Sequence, residues 1–248
     1  MLAIIGGSGL TQLGALAHPR RQIVSTPYGS PSSPLVFGTI GGVEVVFLAR
    51  HGEAHSIPPH KVNYRANLWA LHAGRASDVL AVAAVGGIRP DLTPGTLVVP
   101  DQIIDYTHGR ESTYCSGGDE GVRHVDFTRP YCEALRRRIV SAAAQAGERV
   151  VDGGTYGATQ GPRLETAAEI DRMERDGADM VGMTAMPEAA LARELDLCYA
   201  AIAVVVNPAA GRGSSAEQIS VEDMTAVLRA AMRRVEAIIE RIAVCYGG

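Results

Sequence analysis

The sequence predicts one α/β domain with a central, mostly buried sheet, and three observations indicate this fold. The chain has 248 residues, of which 46% are hydrophobic and 20% charged, a composition typical of a globular protein with a sizeable core. Short β-rich runs alternate with stretches of helical periodicity. No repeat or linker interrupts this alternation, so we expect a single domain over residues 1–248.

Six apolar runs predict the strands of the sheet. The first, Ala3–Ile5, ends at a glycine-rich loop, and the most pronounced, Tyr199–Val206, ends at Asn207. The others are Val43–Leu48, Val79–Val85, Thr96–Val99 and Gln102–Ile104. Continuous apolar runs of this length are typical of strands that are buried on both faces.

Four helices are predicted between and after these strands. Asn63–Ala76 and Tyr131–Ala146 show helical patterns, and Gly147 is a typical residue just beyond a helix end. A capping box at Thr166–Glu169 predicts a helix to about Arg175. A similar box, Ser220–Asp223, begins the last helix, with an apolar stripe at Met224, Val227, Leu228, Ala231, Val235, Ile238, Ile239 and Ile242.

Charge and composition exclude several classes of function. With 27 acidic against 23 basic residues and only 5% aromatic side chains, the chain lacks the basic, aromatic surface that binds nucleic acid. The longest apolar run, Val79–Gly87, is too short to span a membrane, and no signal peptide is evident, so we expect a cytoplasmic protein. The only lysine is Lys61, which excludes a P-loop, so any anion is expected to bind arginine, histidine, hydroxyls and backbone N–H groups.

The cysteines and histidines do not predict a metal site. No CxxC pair occurs, and in a reducing compartment we expect all four cysteines to be free thiols. They are Cys115, Cys132, Cys198 and Cys245. His51 and His55 lie four residues apart, but in a loop and without the spacing of a zinc protease motif.

Polar residues follow several predicted strands and indicate a ligand site. Ser8, Arg50, His51 and Asn207 each come at or just after the carboxyl end of a strand, where α/β sheets bind their ligands. The Gly6–Gly9 loop suits a phosphate cradle but equally a tight turn. Arg50 and His51 suit an anion clamp or a surface ion pair, and Asn207 suits a ligand contact or a turn.

Glu165 is a further candidate, since it follows the turn Gly161-Pro162 and is positioned to face a cleft. Alternatively, it serves as an acidic residue at the start of the helix that Thr166 caps.

Taken together, these residues resemble the trimeric purine nucleoside phosphorylase and methylthioadenosine phosphorylase family over nearly the whole chain. The resemblance lies in Ile4–Leu10, Leu48–Gly52, Lys61–Asn67, Gly161–Arg163, Val181–Thr184 and Pro187-Glu188. It implies a nucleoside phosphorylase-like fold, in which helices flank a mixed sheet. It also implies reversible phosphorolysis of a purine nucleoside by a homotrimer, with inorganic phosphate as co-substrate and without a metal or organic cofactor.

The resemblance also implies roles for individual residues. Phosphate is expected to contact Ser8, Arg50, His51, Ala83, Ala84 and Thr184. Ala83 stands where methylthioadenosine enzymes have threonine, which removes one hydroxyl. Met183 is expected to pack under the ribose, and His124 to reach the 5′ pocket of the neighbouring subunit. Asn207 is expected to stabilise the N7-protonated leaving base while Arg50 and His51 hold the phosphate in line.

The purine pocket departs from that of the 6-aminopurine enzymes of this family, which carry aspartate where this chain has Asn207. Enzymes that act on 6-oxopurines have asparagine there and glutamate at the position of Glu165, which Leu164 precedes in the substrate pocket. An amide can donate to O6, and a carboxylate can accept from N1–H, whereas a carboxylate facing O6 sets acceptor against acceptor.

The expected 5′ pocket is apolar. Val221 and Met224 stand near the position at which inosine and guanosine enzymes of the family have a histidine. An oxopurine pocket beside an apolar 5′ pocket favours 5′-methylthioinosine as the substrate. An inosine/guanosine phosphorylase, a methylthioadenosine phosphorylase and a non-catalytic purine-binding or anion-sensing module are the alternatives.

Overall fold

The described strands join in one mixed sheet, which confirms the predicted α/β fold. The computed structural model describes residues 1–115, 117 and 121–246. Its strands are β1 (Leu2–Gly6), β2 (Ala17–Gln22), β3 (Leu35–Ile40), β4 (Val43–Ala49), β5 (Asp78–Gly87), β6 (Leu97–Val99), β7 (Gln102–Asp105), β8 (Val150–Asp152), β9 (Thr155–Ala158), β10 (Met180–Gly182) and β11 (Cys198–Pro208). Its α-helices are α1 (Tyr64–Ala73), α2 (Glu133–Gln145), α3 (Ala167–Asp176), α4 (Ala185–Glu194) and α5 (Val221–Val244).

The topology places four parallel strands side by side. The main path through the sheet is β2-β3-β4-β1-β5-β10-β9-β7, while β11 pairs with β5 and β6, and β6 pairs with β8. β4, β1, β5 and β11 are mutually parallel neighbours in that order. Their carboxyl ends therefore lie on the same edge of the sheet, where such folds bind ligands.

The sheet separates two hydrophobic cores, which explains why its central strands are apolar throughout. In β1, Ala3 and Ile5 face one core while Leu2 and Ile4 face the other, and all four are fully buried. Helices α1 and α4 pack in the first core, and α2 and α5 in the second. No helix in the described part of the chain is long and apolar enough to cross a bilayer.

The six predicted strands and four predicted helices are all present, with ends shifted by up to three residues. Thr166 and Glu169 form the predicted reciprocal capping box of α3, and Ser220 accepts a hydrogen bond from the N–H of Asp223 at the start of α5. The predicted stripe of α5 is buried from Ala231 onwards and only partly buried before it.

Six elements were not predicted: β2, β3, β8, β9, β10 and α4. β2 is exposed along its whole length, and β8, β9 and β10 have only three or four residues, so neither periodicity nor length distinguishes them from loops. α4 has Pro187 in its first turn and a non-helical Met186, which conceal its start.

One cysteine prediction is wrong. Cys132 and Cys198 form a disulfide, with Cα atoms 5.1 Å apart, whereas Cys115 and Cys245 are free. Cys132 precedes α2 and Cys198 begins β11, so the bond joins two elements that are adjacent in the second core. Their sequence separation of 66 hides this proximity in the sequence.

Candidate active site

A cavity of about 480 Å³ opens at the carboxyl ends of the four parallel strands. The polar residues predicted from the strand ends, Ser8, Arg50, His51 and Asn207, all line it. Ser8 follows β1, Arg50 and His51 follow β4, and Asn207 is near the end of β11. Strand order alone therefore brings together residues from both ends of the sequence.

Arg50 is buried beneath the cavity in a paired state. Its Nε donates to Glu188 Oε2 at 2.7 Å, its Nη2 to Glu188 Oε1 at 2.9 Å, and its Nη1 to the Val82 carbonyl at 2.9 Å. Glu188 is completely buried and also accepts a 2.8 Å bond from the Tyr199 hydroxyl. Gly7 leaves room for this arrangement, since a Cβ there would lie 2.8 Å from Arg50 Nη1.

The pairing keeps Arg50 charged and leaves it capacity for an anion. Burial alone lowers the pKa of the guanidinium, but the attraction of Glu188 outweighs burial and raises the pKa above its usual value. A guanidinium has about five N–H groups, and the bonds to Glu188 and Val82 use only part of them. Arg50 is therefore not part of a surface ion pair, and it is not an anion-binding arginine without a protein partner. Glu188 fixes the position of its positively charged guanidinium.

His51 is neutral near pH 7. Burial, and then the positive charge of Arg50, lower its pKa from 6.5 to about 4. Its Nδ1 lies 2.8 Å from the Ile57 carbonyl, which can only accept, so Nδ1 carries the proton and Nε2 is left as an acceptor. Such a ring suits a protonated phosphate oxygen, and the positive charge at this site is that of Arg50.

The other predicted phosphate contacts line the same cavity. They are Ser8, Ala83, Ala84 and Thr184. Thr184 directly precedes α4, whose N-terminal end favours negative charge. His55, which the sequence pattern brought up only as a disfavoured metal ligand, also lines the cavity, with Nε2 at 3.4 Å from the Ser8 hydroxyl.

The purine-reading candidates Asn207 and Glu165 line the same cavity. A register shift between Val205 and Asn207 interrupts the pairing of β11 with β5, as in a bulge that redirects a side chain. Asn207 Nδ2 donates to the Pro208 carbonyl at 2.6 Å, and its second N–H and its Oδ1 remain for a ligand. Glu165 accepts a 2.6 Å bond from the Thr159 hydroxyl.

Met183 and Leu164 also line the cavity, where they were predicted. Met183 packs against Gly161, where a Cβ would lie only 2.4 Å from its sulfur, so the turn at Gly161 needs glycine. Arg110 holds this region from behind: its Nη1 donates to the Met183 carbonyl at 2.9 Å and its Nη2 to the Gln160 carbonyl at 2.8 Å.

The predicted 5′ pocket needs one correction. Val221 does not line the cavity; it is the first residue of α5 and is 68% exposed. Ile219 and Met224 line the cavity instead, so the wall remains apolar with one residue exchanged. Helix geometry explains the change, because Met224 follows Ser220 by one turn and faces inward, whereas Val221 faces outward. His124 is exposed and lies outside the cavity of its own chain.

Sequence reasoning assigned no site role to Glu188, Thr159, Arg110 or His55. Glu188 was noted only within Pro187-Glu188, one of the segments that resemble the family. A glutamate inside an apolar helix nevertheless indicates a buried partner. Thr159 contacts Glu165, six residues further along the chain, and Arg110 contacts carbonyls that are 50 and 73 residues away. No local sequence pattern indicates these contacts.

Comparison with known proteins relates the chain to one enzyme family. The family model described as the phosphorylase superfamily matches residues 1–243. A probable S-methyl-5′-thioinosine phosphorylase of Pseudomonas syringae pv. tomato is 53% identical over 240 residues, 97% of each chain. The 6-oxopurine nucleoside phosphorylase of Pyrococcus furiosus is 48% identical over 215 residues, 85% of this chain and 80% of the relative.

Among solved structures, the fold is similar to that of methylthioadenosine phosphorylase from Schistosoma mansoni in complex with adenine. The TM-score is 0.93 at 34% identity, covering 99% of this chain and 91% of the other.

Proposed function

The chain belongs to the phosphorylase superfamily, and from this premise we propose that it catalyses the reversible phosphorolysis of a 6-oxopurine nucleoside, with 5′-methylthioinosine as the preferred substrate. The products are hypoxanthine and 5-methylthioribose 1-phosphate. Relatives named S-methyl-5′-thioinosine phosphorylase and 6-oxopurine nucleoside phosphorylase support this function. The observation that carries the proposal is the meeting of Asn207 and Glu165 with the apolar Ile219 and Met224 in one cavity.

In the proposed mechanism, phosphate attacks C1′ of the ribose on the face opposite the base. Arg50 supplies fixed positive charge, His51 accepts from a phosphate hydroxyl, and Ser8 adds a hydroxyl contact. The C1′–N9 bond breaks with its electron pair left on the purine, which takes up a proton from water at N7, and Asn207 Oδ1 accepts from that N7–H. Positioning and electrostatic stabilisation therefore supply the catalysis, and none of the proposed steps requires a metal or organic cofactor.

The 6-oxo preference follows from hydrogen-bond matching. The second N–H of Asn207 donates to O6, and Glu165 accepts from N1–H, which a 6-aminopurine lacks. Leaving buried polar groups mispaired discriminates by about 10⁴-fold in favourable cases. The resemblance to methylthioadenosine phosphorylase makes a 6-aminopurine nucleoside the second candidate substrate, and the expected 5′-methylthio group is the same for both.

The proposal is tested by comparing kcat/KM for methylthioinosine, methylthioadenosine and inosine with phosphate as co-substrate. We expect methylthioinosine to give the highest value. A preference for methylthioadenosine would contradict the roles of Asn207 and Glu165, and a preference for inosine would contradict the apolar 5′ wall. Absence of turnover with every nucleoside would instead favour a purine-binding module.

Asn207→Asp tests which residue reads the base. A carboxylate facing O6 is repelled, whereas it can accept from a 6-amino group, so we expect the methylthioadenosine-to-methylthioinosine ratio of kcat/KM to rise about 100-fold or more. Steady-state kinetics on both nucleosides measure the ratio, with the exposed Glu240→Gln as control. An unchanged ratio would exclude Asn207 as the reader.

We also propose a cytoplasmic homotrimer in which His124 completes the 5′ pocket of a neighbouring subunit. His124 is exposed and does not line the cavity of its own chain, which supports this role.

A further inference from the structure

We propose that Thr159 is a specificity-determining positioning residue, whose hydroxyl orients Glu165 to accept from N1–H of a 6-oxopurine. This inference rests on the proposed function and deepens it. Thr159 directly follows β9 and is 8% exposed, so its hydroxyl is nearly removed from solvent. It does not itself line the main cavity but lines a second, adjoining cavity.

The backbone of Thr159 is fixed on both sides. Its N–H donates to the Gly182 carbonyl at 2.8 Å, and its carbonyl accepts from Arg110 Nη2 at 3.1 Å. Gly182 ends β10, which leads into Met183 at the ribose end of the site. Thr159 is therefore a rigid point that connects the purine and ribose parts of the cavity.

The single hydroxyl proton of Thr159 has two acceptors within reach. Glu165 Oε1 lies at 2.6 Å and the Gly182 carbonyl at 3.3 Å. The carbonyl already accepts the Thr159 N–H, and hydrogen bonds to ionised acceptors are shorter and stronger. The proton therefore goes to Glu165, which fixes one carboxylate oxygen and leaves the other for a ligand.

Glu165 needs such a restraint because it lies between two cavities. A second cavity of about 700 Å³ shares Glu165 with the first and is lined by Arg163 and Arg172. Both guanidinium groups attract a carboxylate: the hydrogen bonds and charge of Glu169 chiefly raise the pKa of Arg163, and the charge of Glu165 adds to this effect. The Thr159 hydroxyl opposes rotation of Glu165 toward these arginines and keeps its free oxygen available for the purine.

The test compares Thr159→Val, which removes the hydroxyl at nearly constant volume, with Thr159→Ser, which retains it. We expect Thr159→Val to lower kcat/KM for methylthioinosine about 10- to 100-fold, the usual effect of losing a hydrogen bond to a charged group, with a much smaller change for methylthioadenosine. Thr159→Ser should stay within about threefold of wild type. Thr155→Val, at the start of the strand that precedes Thr159, is the matched control.

A merely structural role would lower kcat/KM for both nucleosides together, and thermal melting identifies variants that fold poorly. If Thr159→Val does not fold, Thr159→Ala replaces it in the same comparison. In a Glu165→Gln background, Thr159→Val should no longer change the ratio of kcat/KM between methylthioinosine and methylthioadenosine, because Thr159 acts through the carboxylate. The inference is overturned if Thr159→Val leaves the ratio of kcat/KM between the two nucleosides unchanged. It is also overturned if Thr159→Val and Thr159→Ser lose kcat/KM for methylthioinosine equally.

Failure of the proposed function is distinguishable from failure of this inference. If the wild-type enzyme prefers methylthioadenosine, the proposed function fails and the role of Thr159 with it. If the wild-type enzyme prefers methylthioinosine while Thr159→Val keeps the wild-type ratio, only the role of Thr159 is overturned.

Discussion

Arg50 depends on Glu188 for its charge and its orientation. Both side chains are at most 1% exposed, and two hydrogen bonds join them. Glu188→Gln would leave a buried guanidinium without its counter-charge, and breaking a buried pair in this way costs about 3–5 kcal/mol. We therefore expect a lower free energy of unfolding in urea and a higher KM for phosphate. Glu240→Gln, exposed on α5, should change neither quantity, and an unaltered stability of Glu188→Gln would contradict the pairing.

His51 is expected to make stability depend on pH. Its pKa falls from 6.5 in the unfolded chain to about 4 in the folded chain, so the unfolded state binds the proton more readily between these values. This contribution is fully present above pH 6.5 and is lost as the pH falls toward 4, by roughly 3 kcal/mol at about 1.4 kcal/mol per pKa unit. Urea unfolding of wild type and His51→Gln between pH 4 and 7 should show a shallower dependence in the variant. The exposed His72→Gln should keep the wild-type slope, and equal slopes for all three proteins would contradict this account.

At the scale of elements, the sequence predicted what local patterns can encode. Buried strands are continuous apolar runs and capping residues are local, so β1, β4, β5, β11 and the starts of α3 and α5 were predictable. Because parallel strands end at one edge, the polar residues after them also predicted the cavity. The partners of these residues were not predictable, since Glu188 meets Arg50 across 138 residues.

The start of α5 illustrates how a shift of a few residues in a predicted helix changes which side chains are expected to line the cavity. Val221 and Met224 both looked suitable from composition, but only Met224 lines the cavity, together with Ile219. Helix phase depends on where the helix begins, and Ser220 sets that start through its bond to the Asp223 N–H. The apolar character of this part of the cavity wall was thus predictable, whereas the residues that form it required the position of the cap.

Met224→Gln tests the apolar 5′ wall. A polar side chain there removes apolar contact with a methylthio group, for which we expect about a fivefold loss in kcat/KM, since burying one or two methylene-sized groups contributes about 1 kcal/mol. Inosine, which carries a 5′-hydroxyl, should be affected less. Val221→Gln is the matched control, because its side chain is exposed. Equal losses for both nucleosides in Met224→Gln would show that α5 does not select the 5′ group.

At the scale of the whole molecule, the chain between Arg110 and Phe127 connects the back of the candidate active site with the protein surface. Arg110 is held behind the chain's own site by bonds to the Met183 and Met186 carbonyls, at 2.9 and 2.6 Å. Fourteen residues later His124 is exposed, and Phe127 packs back against the first core. This arrangement suits a segment that is anchored in one subunit and presents His124 to another.

Complementation between two defective variants tests this sharing directly. Asn207→Ala disables the site of its own chain, whereas His124→Asp would place a carboxylate in the 5′ pocket of a neighbour. In trimers assembled at random from equal amounts of both, about a quarter of the sites combine an intact Asn207 with an intact His124. We therefore expect co-refolded mixtures to exceed the summed activities of the separately refolded variants, with trimer assembly checked by light scattering. Activity equal to that sum would mean that each chain uses its own residues alone, which would contradict the proposed role of His124.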